Sequence, residues 1–249
     1  DFCLSRGLGD VYKRQGLTAT PFRSDGLDAL LPLICGPIRH TMEIERPGPK
    51  HYIVQTTEFT YDEPHLYWPD LDNALAADDT RNALIAETIA RAATSGMNVL
   101  VLVKRREQIT TLATLLARNH PDLPVPVFTL HGAQHPKDRS DTRKALTTAP
   151  RFVLIAMTQI AGEGVDLPAL DALVLAAPVA FKGNVIQQIG RVTRGTTASA
   201  TVFDFHDYHV PALTTAFRKR RSVIRTEGFT QQPGLSLLDA CQLPHPPLP

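Results

Sequence analysis

The sequence predicts an α/β protein built on a parallel sheet with helices on both faces. Apolar runs typical of strands alternate with amphipathic helical patterns along most of the chain. Val99 to Val103 is apolar at every position, as expected for a strand that is buried on both faces. Arg105 to Arg118 follows it and places Ile109, Leu112 and Leu116 on one helical face. Strands separated by helices in this way form parallel sheets that are covered on both sides.

The other predicted elements repeat this alternation. The predicted strands are His51 to Phe59, Val99 to Val103, Val125 to Leu130, Phe152 to Ala156, Ala172 to Ala176 and Ala200 to Phe205. The predicted helices are Leu27 to Ile34, Arg81 to Ala93 with a cap at Asp78 or Asp79, Arg105 to Arg118, Lys137 to Thr147, one that begins over Asn184 to Ile189, and Ala212 to Arg225. Asp62 to Asp72 contains prolines, aromatic residues and acids, and it is predicted as a connecting loop.

The composition is ordinary for a soluble globular protein. Hydrophobic residues make up 43% of the 249 residues, charged residues 20%, and the formal net charge is +1. Near-neutrality does not decide for or against a nucleic-acid partner, because such a protein needs only a local basic strip. Cys3, Cys35 and Cys241 are widely spaced, which disfavours a cysteine zinc or redox site. No apolar run approaches the roughly 20 residues that span a bilayer, so we expect a cytoplasmic protein without a membrane partner.

The two ends of the chain differ from its middle. Asp1 to Gln15 has neither a helical nor a strand period, and its part GLGDVYKRQ resembles a translated sequencing adaptor, although a native surface segment is the alternative. We expect the natural protein to extend upstream of Gly16. Thr230 to Pro249 is rich in proline and glutamine and is predicted to be a flexible tail.

Two arginines spaced three residues apart are the strongest candidates for a functional site. In the string QQIGRVTR, Arg191 and Arg194 fall on neighbouring positions of one helical face. Gly190 lets a backbone or a nucleotide approach closely. Guanidinium groups remain charged and offer forked donors that fit a polyphosphate. Taken alone, the pattern is equally typical of an amphipathic helix with two solvated arginines.

A glycine-rich acidic loop precedes these arginines. The string TQIAGEGVDLP, from Thr158 to Pro168, follows directly on the predicted buried strand that ends at Ala156. Ligand sites in open parallel sheets lie just past the carboxyl ends of strands. A carboxylate in this loop can accept a hydrogen bond from a ribose hydroxyl, and Thr158 can donate one to a backbone phosphate. The alternative is a turn between strands that is capped by Asp166.

These strings together resemble a known family. QxxGRxxR resembles motif VI of superfamily 2 helicases, TQIAGEGVDLP motif V, GLTATPFR motif III and VLVLVKRREQ motif IV, in the family's order. The wording around GLTATPFRSDG is similar to the branch that contains type III restriction translocating subunits and the DNA-repair helicase of eukaryotic transcription. The resemblance covers Gly16 to Phe229. It implies a RecA-like second motor domain over residues 51–229 and the end of the first motor domain over 16–50, and it leaves the predicted tail at 230–249.

The resemblance implies a role for each matching residue at the nucleotide. Arg191 and Arg194 would reach the γ-phosphate of ATP, one of them as an arginine finger. Gln187 would lie near the attacking water. The residues that would contact the nucleotide are Gly164, Asp166 and Gly190.

Further matches concern the nucleic acid. Thr158 would contact its backbone, and Thr18 and Thr20 would couple hydrolysis to strand movement. Four residues in loops after strands are also candidates for backbone contact, although a solvated surface is an equally good interpretation. These four are Lys104, Arg105, His131 and Gly132.

The resemblance also shows which parts a complete motor would need elsewhere. Such a motor needs a GxxxxGK[ST] phosphate loop and an acidic box that holds Mg²⁺, and neither precedes Gly16. The string Asp62-Glu63-Pro64-His65 spells such a box but follows motif III instead of preceding it. We therefore expect ATP and Mg²⁺ as cofactors, with the Mg²⁺ ligands in the missing first domain, and no ATP hydrolysis by this chain alone.

The predicted function is that of an ATP-dependent DNA helicase or translocase, acting as a monomeric motor. RNA is the other candidate strand. Two alternatives remain: the translocating subunit of a type III-like restriction endonuclease, and a non-catalytic RecA-like nucleic-acid-binding module. The two intact arginines speak against the second.

Three other features have competing interpretations. His206, Asp207 and His209 offer metal-ligating side chains, but their spacing fits no standard zinc pattern. A structural or surface role is favoured, and no metal site is predicted. The run Arg218 to Arg221 can grip phosphates or form a charged helix face. Trp68 can stack on a base or pack locally.

Overall fold

The computed structural model describes residues 30–41, 48–63, 65–159, 170–179, 182–193 and 199–231. The strands in these ranges are Lys50–Thr57 (β1), Val99–Val103 (β2), Val127–Leu130 (β3), Val153–Met157 (β4), Ala172–Leu175 (β5), Ala200–Asp207 (β6) and Thr230–Gln231 (β7). The helices are Leu30–Cys35 (α1), Trp68–Ala77 (α2), Asp79–Thr94 (α3), Arg106–Asn119 (α4), Pro136–Thr148 (α5), Lys182–Thr193 (α6) and Pro211–Thr226 (α7).

The strands form one sheet in the order β3-β4-β2-β5-β6-β1-β7, and every neighbouring pair is parallel. The register aligns Leu130, Ala156, Leu102 and Leu175 in one row across four adjacent strands. Because the strands are parallel, their carboxyl ends meet at one side of the sheet, which we call the carboxyl edge. The predicted α/β fold with a parallel sheet is confirmed.

Strand β2 shows how the sheet separates two apolar layers. Its side chains alternate between the two faces, as the pleat requires. Val99, Val101 and Val103 join the core layer that contains residues of α3 and α4. Leu100 and Leu102 join the opposite layer, which contains residues of α5, α6 and α7. Helices therefore cover both faces, as the continuous apolar run predicts.

Most predicted elements are found with ends shifted by at most two residues, and the predicted cap of α3 is present. The Asp78 carboxylate accepts a hydrogen bond from the backbone N–H of Arg81 at 2.6 Å, which satisfies one of the otherwise unpaired amides of the first turn.

The prediction of a loop from Asp62 to Asp72 is wrong for its last five residues. Helix α2 begins at Trp68, with a proline in its first turn, where the missing N–H costs little. Leu71 and Leu75, one helical turn apart, pack in a small core with Phe59, Val210 and Leu213. This tertiary burial decides the structure of a segment whose composition is typical of a loop.

The predicted tail is wrong at its start, because Thr230–Gln231 forms the edge strand β7 beside β1. Residues 232–249 and 1–29 lie outside the described residues. None of the helices described above is long and apolar enough to cross a membrane.

Candidate functional site

Helix α6 contains Gln187 and Arg191, two of the candidate residues of the QQIGRVTR string that precede Arg194. Its inward side chains Val185, Ile189 and Val192 are buried in the core layer on that face of the sheet. This spacing leaves Gln187 exposed and Arg191 half-buried, one turn apart on the other side. The helix predicted at this position is confirmed.

Gly190 lies between these polar side chains. A Cβ atom added there would meet no atom within 4 Å, so packing within the described chain does not require a glycine. The sequence-based explanation for a glycine at this position, which is close approach by a nucleotide or a backbone, stays a prediction. Arg194, Gly164, Asp166, Thr18 and Thr20 lie outside the described residues.

The candidate nucleic-acid residues share the carboxyl edge. Lys104 and Arg105 follow β2, His131 and Gly132 follow β3, and Thr158 follows β4. These three strands are adjacent in the sheet and aligned in register. The sequence placed each residue after its own strand, and the strand order brings the three segments side by side. Thr158, predicted in a loop, has helical backbone.

Two of these residues are tied to α2. The Lys104 ammonium pairs with the carboxylate of Asp72, which is 4% exposed. The Arg105 guanidinium donates a hydrogen bond to the backbone carbonyl of Pro69 at 2.7 Å. The side chains of Lys104 and Arg105 therefore help to hold α2 against the sheet. The sequence analysis did not predict these contacts, because it assigned Asp62 to Asp72 to a loop.

The loop after β3 is held by a residue that the sequence reasoning missed. The Gln134 side chain accepts a hydrogen bond from the His131 N–H and donates one to the Thr129 carbonyl, each at 3.0 Å. Gly132 lies exposed between the residues that these two hydrogen bonds join. The glutamine at the end of the HGAQ string was the available signal.

The side chains of the suspected metal cluster have protein partners. His206 stacks on Phe217 with ring centroids 4.1 Å apart, and its burial lowers the pKa of the His206 imidazole. The His209 ring contacts Glu58 at 3.0 Å. Among the residues that the structure describes, no group of three or more potential ligands is arranged to hold a metal. These contacts support the structural interpretation.

The basic run near the end of the chain does not act as one surface. Arg218 and Lys219 are exposed, whereas Arg220 is only 2% exposed. The phosphate-gripping interpretation is wrong for Arg220, because the helical turn directs its side chain into the core and its donors are already used. Trp68, at the start of α2, remains 43% exposed.

Two buried arginine–aspartate pairs lie at β6, and the sequence reasoning missed both. Arg81 of α3 pairs with Asp207 at 2.7 Å, and Arg220 of α7 pairs with Asp204 at 2.8 Å. The signal was available, because Asp204 stands between Phe203 and Phe205 in a predicted strand. Burial, followed by the nearby Asp204 carboxylate, raises the pKa of the Tyr52 hydroxyl, which donates to Asp204 at 2.6 Å.

The middle of the chain, residues 80–196, matches the family described as helicase conserved C-terminal domain. Over this span the chain is similar to helicase C-terminal domains. The matched span contains β2 to β5 and α6, and so includes Gln187, Arg191 and the three loops at the carboxyl edge.

Two viral proteins and one solved structure are similar to the chain. Transcript termination protein A18 of Myxoma virus is 28% identical over 169 residues, which is 67% of this chain and 33% of that protein. A putative helicase of invertebrate iridescent virus 6 is 29% identical over 236 residues, which is 85% of this chain and 49% of that protein. The crystal structure of T4 UvsW has the same fold, with a TM-score of 0.58 and 20% identity over 74% of this chain and 40% of that one. The chain thus spans a third to half of the viral relatives.

Proposed function

We propose that the protein to which this chain belongs is an ATP-dependent helicase or translocase. The helicase C-terminal domain would supply one side of the ATP site and part of the track for the nucleic acid. The observation that carries the proposal is α6, which presents Gln187 and Arg191 one turn apart on its outer side within the span that matches the helicase family. The proposed domain limits are residues 16–50 for the end of the first motor domain and 51–229 for the second.

The chemistry of the side chains fits a triphosphate. Arg191 and Arg194 are proposed to place guanidinium groups against the γ-phosphate, where negative charge accumulates during transfer. Gln187 is proposed to orient the attacking water. Gly190, beside Arg191, has open space on its Cα, which suits close approach by a nucleotide. ATP supplies the phosphoryl group whose transfer drives the cycle.

The remaining nucleotide contacts are proposed for Gly164 and Asp166, in the loop after β4. The part of the chain that contains them follows β4, which lies between β3 and β2 in the sheet. Asp166 would accept a hydrogen bond from the ribose, and Gly164 would allow the backbone to approach. The Mg²⁺ ligands and the phosphate loop are proposed to lie in the first motor domain.

The carboxyl edge is proposed to be the nucleic-acid track. Thr158, His131 and Gly132 follow adjacent strands and can contact phosphates with side-chain or backbone donors. Lys104 and Arg105 would add charge, reduced by the contacts with Asp72 and Pro69. We propose DNA as the strand. The motor is proposed to be monomeric and cytoplasmic.

The arginines test the proposal in the full-length protein. Replacing Arg194 or Arg191 by alanine should preserve DNA binding and abolish DNA-stimulated ATP hydrolysis, since loss of an arginine finger lowers turnover by about 10³–10⁵-fold. Arg194→Lys should rescue only in part, because an ammonium lacks the planar fork. Arg118→Ala, at an exposed position in the last turn of α4, is the matched control. Near-normal turnover by Arg194→Ala would refute the motor function, and stimulation by RNA alone would refute the choice of DNA.

A further inference from the structure

We propose that Arg81 and Arg220 position helix α6 by holding the segment that leads into it. This segment, residues 176–179, follows β5 directly and ends three residues before the start of α6. We call the two arginines with their partners Asp207 and Asp204 the arginine clamp. The inference rests on the proposed function, because α6 matters for turnover only if Gln187 and Arg191 act on ATP.

The first half of the clamp approaches from α3. The Arg81 Nη1 donates to the carbonyl of Ala176 at 2.8 Å. The Nε and Nη2 atoms of the same guanidinium bind the two carboxylate oxygens of Asp207 at 2.7 and 3.3 Å. Thr57 donates to Asp207 at 2.6 Å and keeps that carboxylate in place. Arg81 is 2% exposed and Asp207 is 3% exposed.

The second half approaches from α7. The Arg220 Nη1 donates to the carbonyl of Val179 at 3.0 Å. The Nε and Nη2 atoms bind the Asp204 carboxylate at distances from 2.8 to 3.0 Å. Although burial lowers it, the Asp204 carboxylate raises the pKa of Arg220 above its ordinary value overall, so the guanidinium stays charged.

The two halves lie on opposite faces of the sheet. Asp204 and Asp207 are three residues apart on β6, so their side chains point to opposite faces. Arg81 comes from the helix layer of α3, and Arg220 from the layer of α7. The segment between β5 and α6 is therefore held from both sides of the sheet, at its first and its last residue.

The arrangement does more than bury two ion pairs. Buried ion pairs are often replaceable by apolar side chains without loss of stability. Here each guanidinium directs a further donor to a backbone carbonyl of the same four residues. Among the described residues, the segment makes one backbone hydrogen bond to the sheet, from the Ala176 N–H to the Leu102 carbonyl at 3.1 Å, and Pro178 has no N–H to add another.

The position of the held segment sets the position of α6. The helix begins at Lys182, three residues after Val179, so a shift of the segment moves the helix that bears Gln187 and Arg191. A displacement of about 1 Å at a group that must meet a transferring phosphate can cost on the order of 10²-fold in rate. Arg81 and Arg220 are accordingly positioning residues, which act through Arg191 and Gln187.

Hydrogen–deuterium exchange on this chain tests the clamp without any activity. Arg81→Lys and Arg220→Lys keep a charge near each aspartate but lose the extra donors to the carbonyls. We expect exchange over residues 176–193 to rise about tenfold, the effect of losing one charge-assisted hydrogen bond, while β2 and β4 stay protected. Arg91→Lys on α3, at a half-buried position, and Arg218→Lys on α7, at an exposed position, are the matched controls. Unchanged exchange over 176–193, or an equal rise throughout the domain, would overturn the proposal.

The full-length protein supplies the second readout. Each lysine variant should lower the DNA-stimulated kcat by about 10-fold to 100-fold with the KM for ATP changed less than about threefold, because geometry at the transition state is lost and ground-state binding is not. An unchanged kcat in a variant with loosened 176–193 would refute the link from the clamp to turnover.

Two further outcomes are separable. If the unmodified full-length protein hydrolyses no ATP, the proposed function fails, and the exchange experiment still decides whether the clamp holds α6. If a lysine variant does not fold, Tyr52→Phe serves instead, since it removes one donor to Asp204 and keeps both ion pairs. We expect a rise of a few-fold in exchange over the same residues, and no rise there would overturn the proposal.

Discussion

Replacing Asp204 by asparagine tests how much of the fold depends on charge inside the sheet. Asp204 is 0% exposed, and it accepts hydrogen bonds from Tyr52 at 2.6 Å and from the Phe205 N–H at 2.8 Å, besides the pair with Arg220. Asparagine has nearly the same shape but no charge, and its NH₂ group cannot accept. The variant therefore leaves Arg220 charged and buried without a counterion.

The expected cost follows from this loss. Removing one partner of a buried pair destabilises a protein by about 3–5 kcal/mol. In a domain of this size each kcal/mol corresponds to about 2–4 °C in Tm, so we expect a fall of about 6–20 °C. Thermal unfolding followed by circular dichroism measures it. Asp122→Asn, at an exposed position after α4, is the matched control and should melt with the unmodified chain.

A double variant separates charge from packing. Asp204→Asn combined with Arg220→Met removes both charges, so the double variant should be less destabilised than the sum of the two single variants. A fall of less than about 2 °C for Asp204→Asn, or strict additivity in the double variant, would refute the reasoning that a buried, uncompensated charge sets the cost.

Three other predictions concern the ends of the chain and its pH response. The chain alone, purified as it stands, should show no Mg²⁺-dependent ATP hydrolysis with or without DNA, and robust turnover would contradict the assignment of the phosphate loop to another part of the protein. Deleting Asp1 to Gln15 should leave Tm unchanged, whereas a fall of several degrees, worth about 1 kcal/mol, would show that the segment is structural. Burial lowers the pKa of His206 below its ordinary 6.5, so the folded state binds fewer protons than the unfolded state, and the stability present above that value is lost as pH falls through the lowered pKa. Between about pH 7.5 and pH 5 the unmodified chain should therefore lose more Tm than His206→Gln does, and equal losses would show that His206 does not contribute.

The local elements were predictable because their signals are local. The all-apolar run of β2 and the spacing of Val185, Ile189 and Val192 in α6 indicate burial without knowledge of any partner. The same holds for the cap at Asp78, which concerns four successive residues. The alternation of strands and helices along the chain also places the candidate residues just after strands, where ligands bind in parallel sheets.

The failures share one cause, which is that distant residues decide the outcome. Helix α2 forms because Leu71 and Leu75 meet Phe59 and Leu213, and no window of sequence contains all four. Lys104 pairs with Asp72, 32 positions earlier in the numbering, so its charge is less available than its place in a basic string indicates.

The sequence by itself determined the alternation of strands and helices, the parallel sheet and the resemblance that identifies the outer side of α6, because periodicity and short motifs are written within a few turns of chain. Only the tertiary structure decided what holds that helix. Arg81 and Asp207 are 126 residues apart in the chain. They meet because α3 packs on β5, and β5 is the neighbour of β6 in the sheet. Arg220, which the sequence presents as part of a basic surface, is turned inward because Asp204 lies beneath α7. A buried charge is tolerated only when its partner is in contact with it, and the fold decides whether the two residues come into contact.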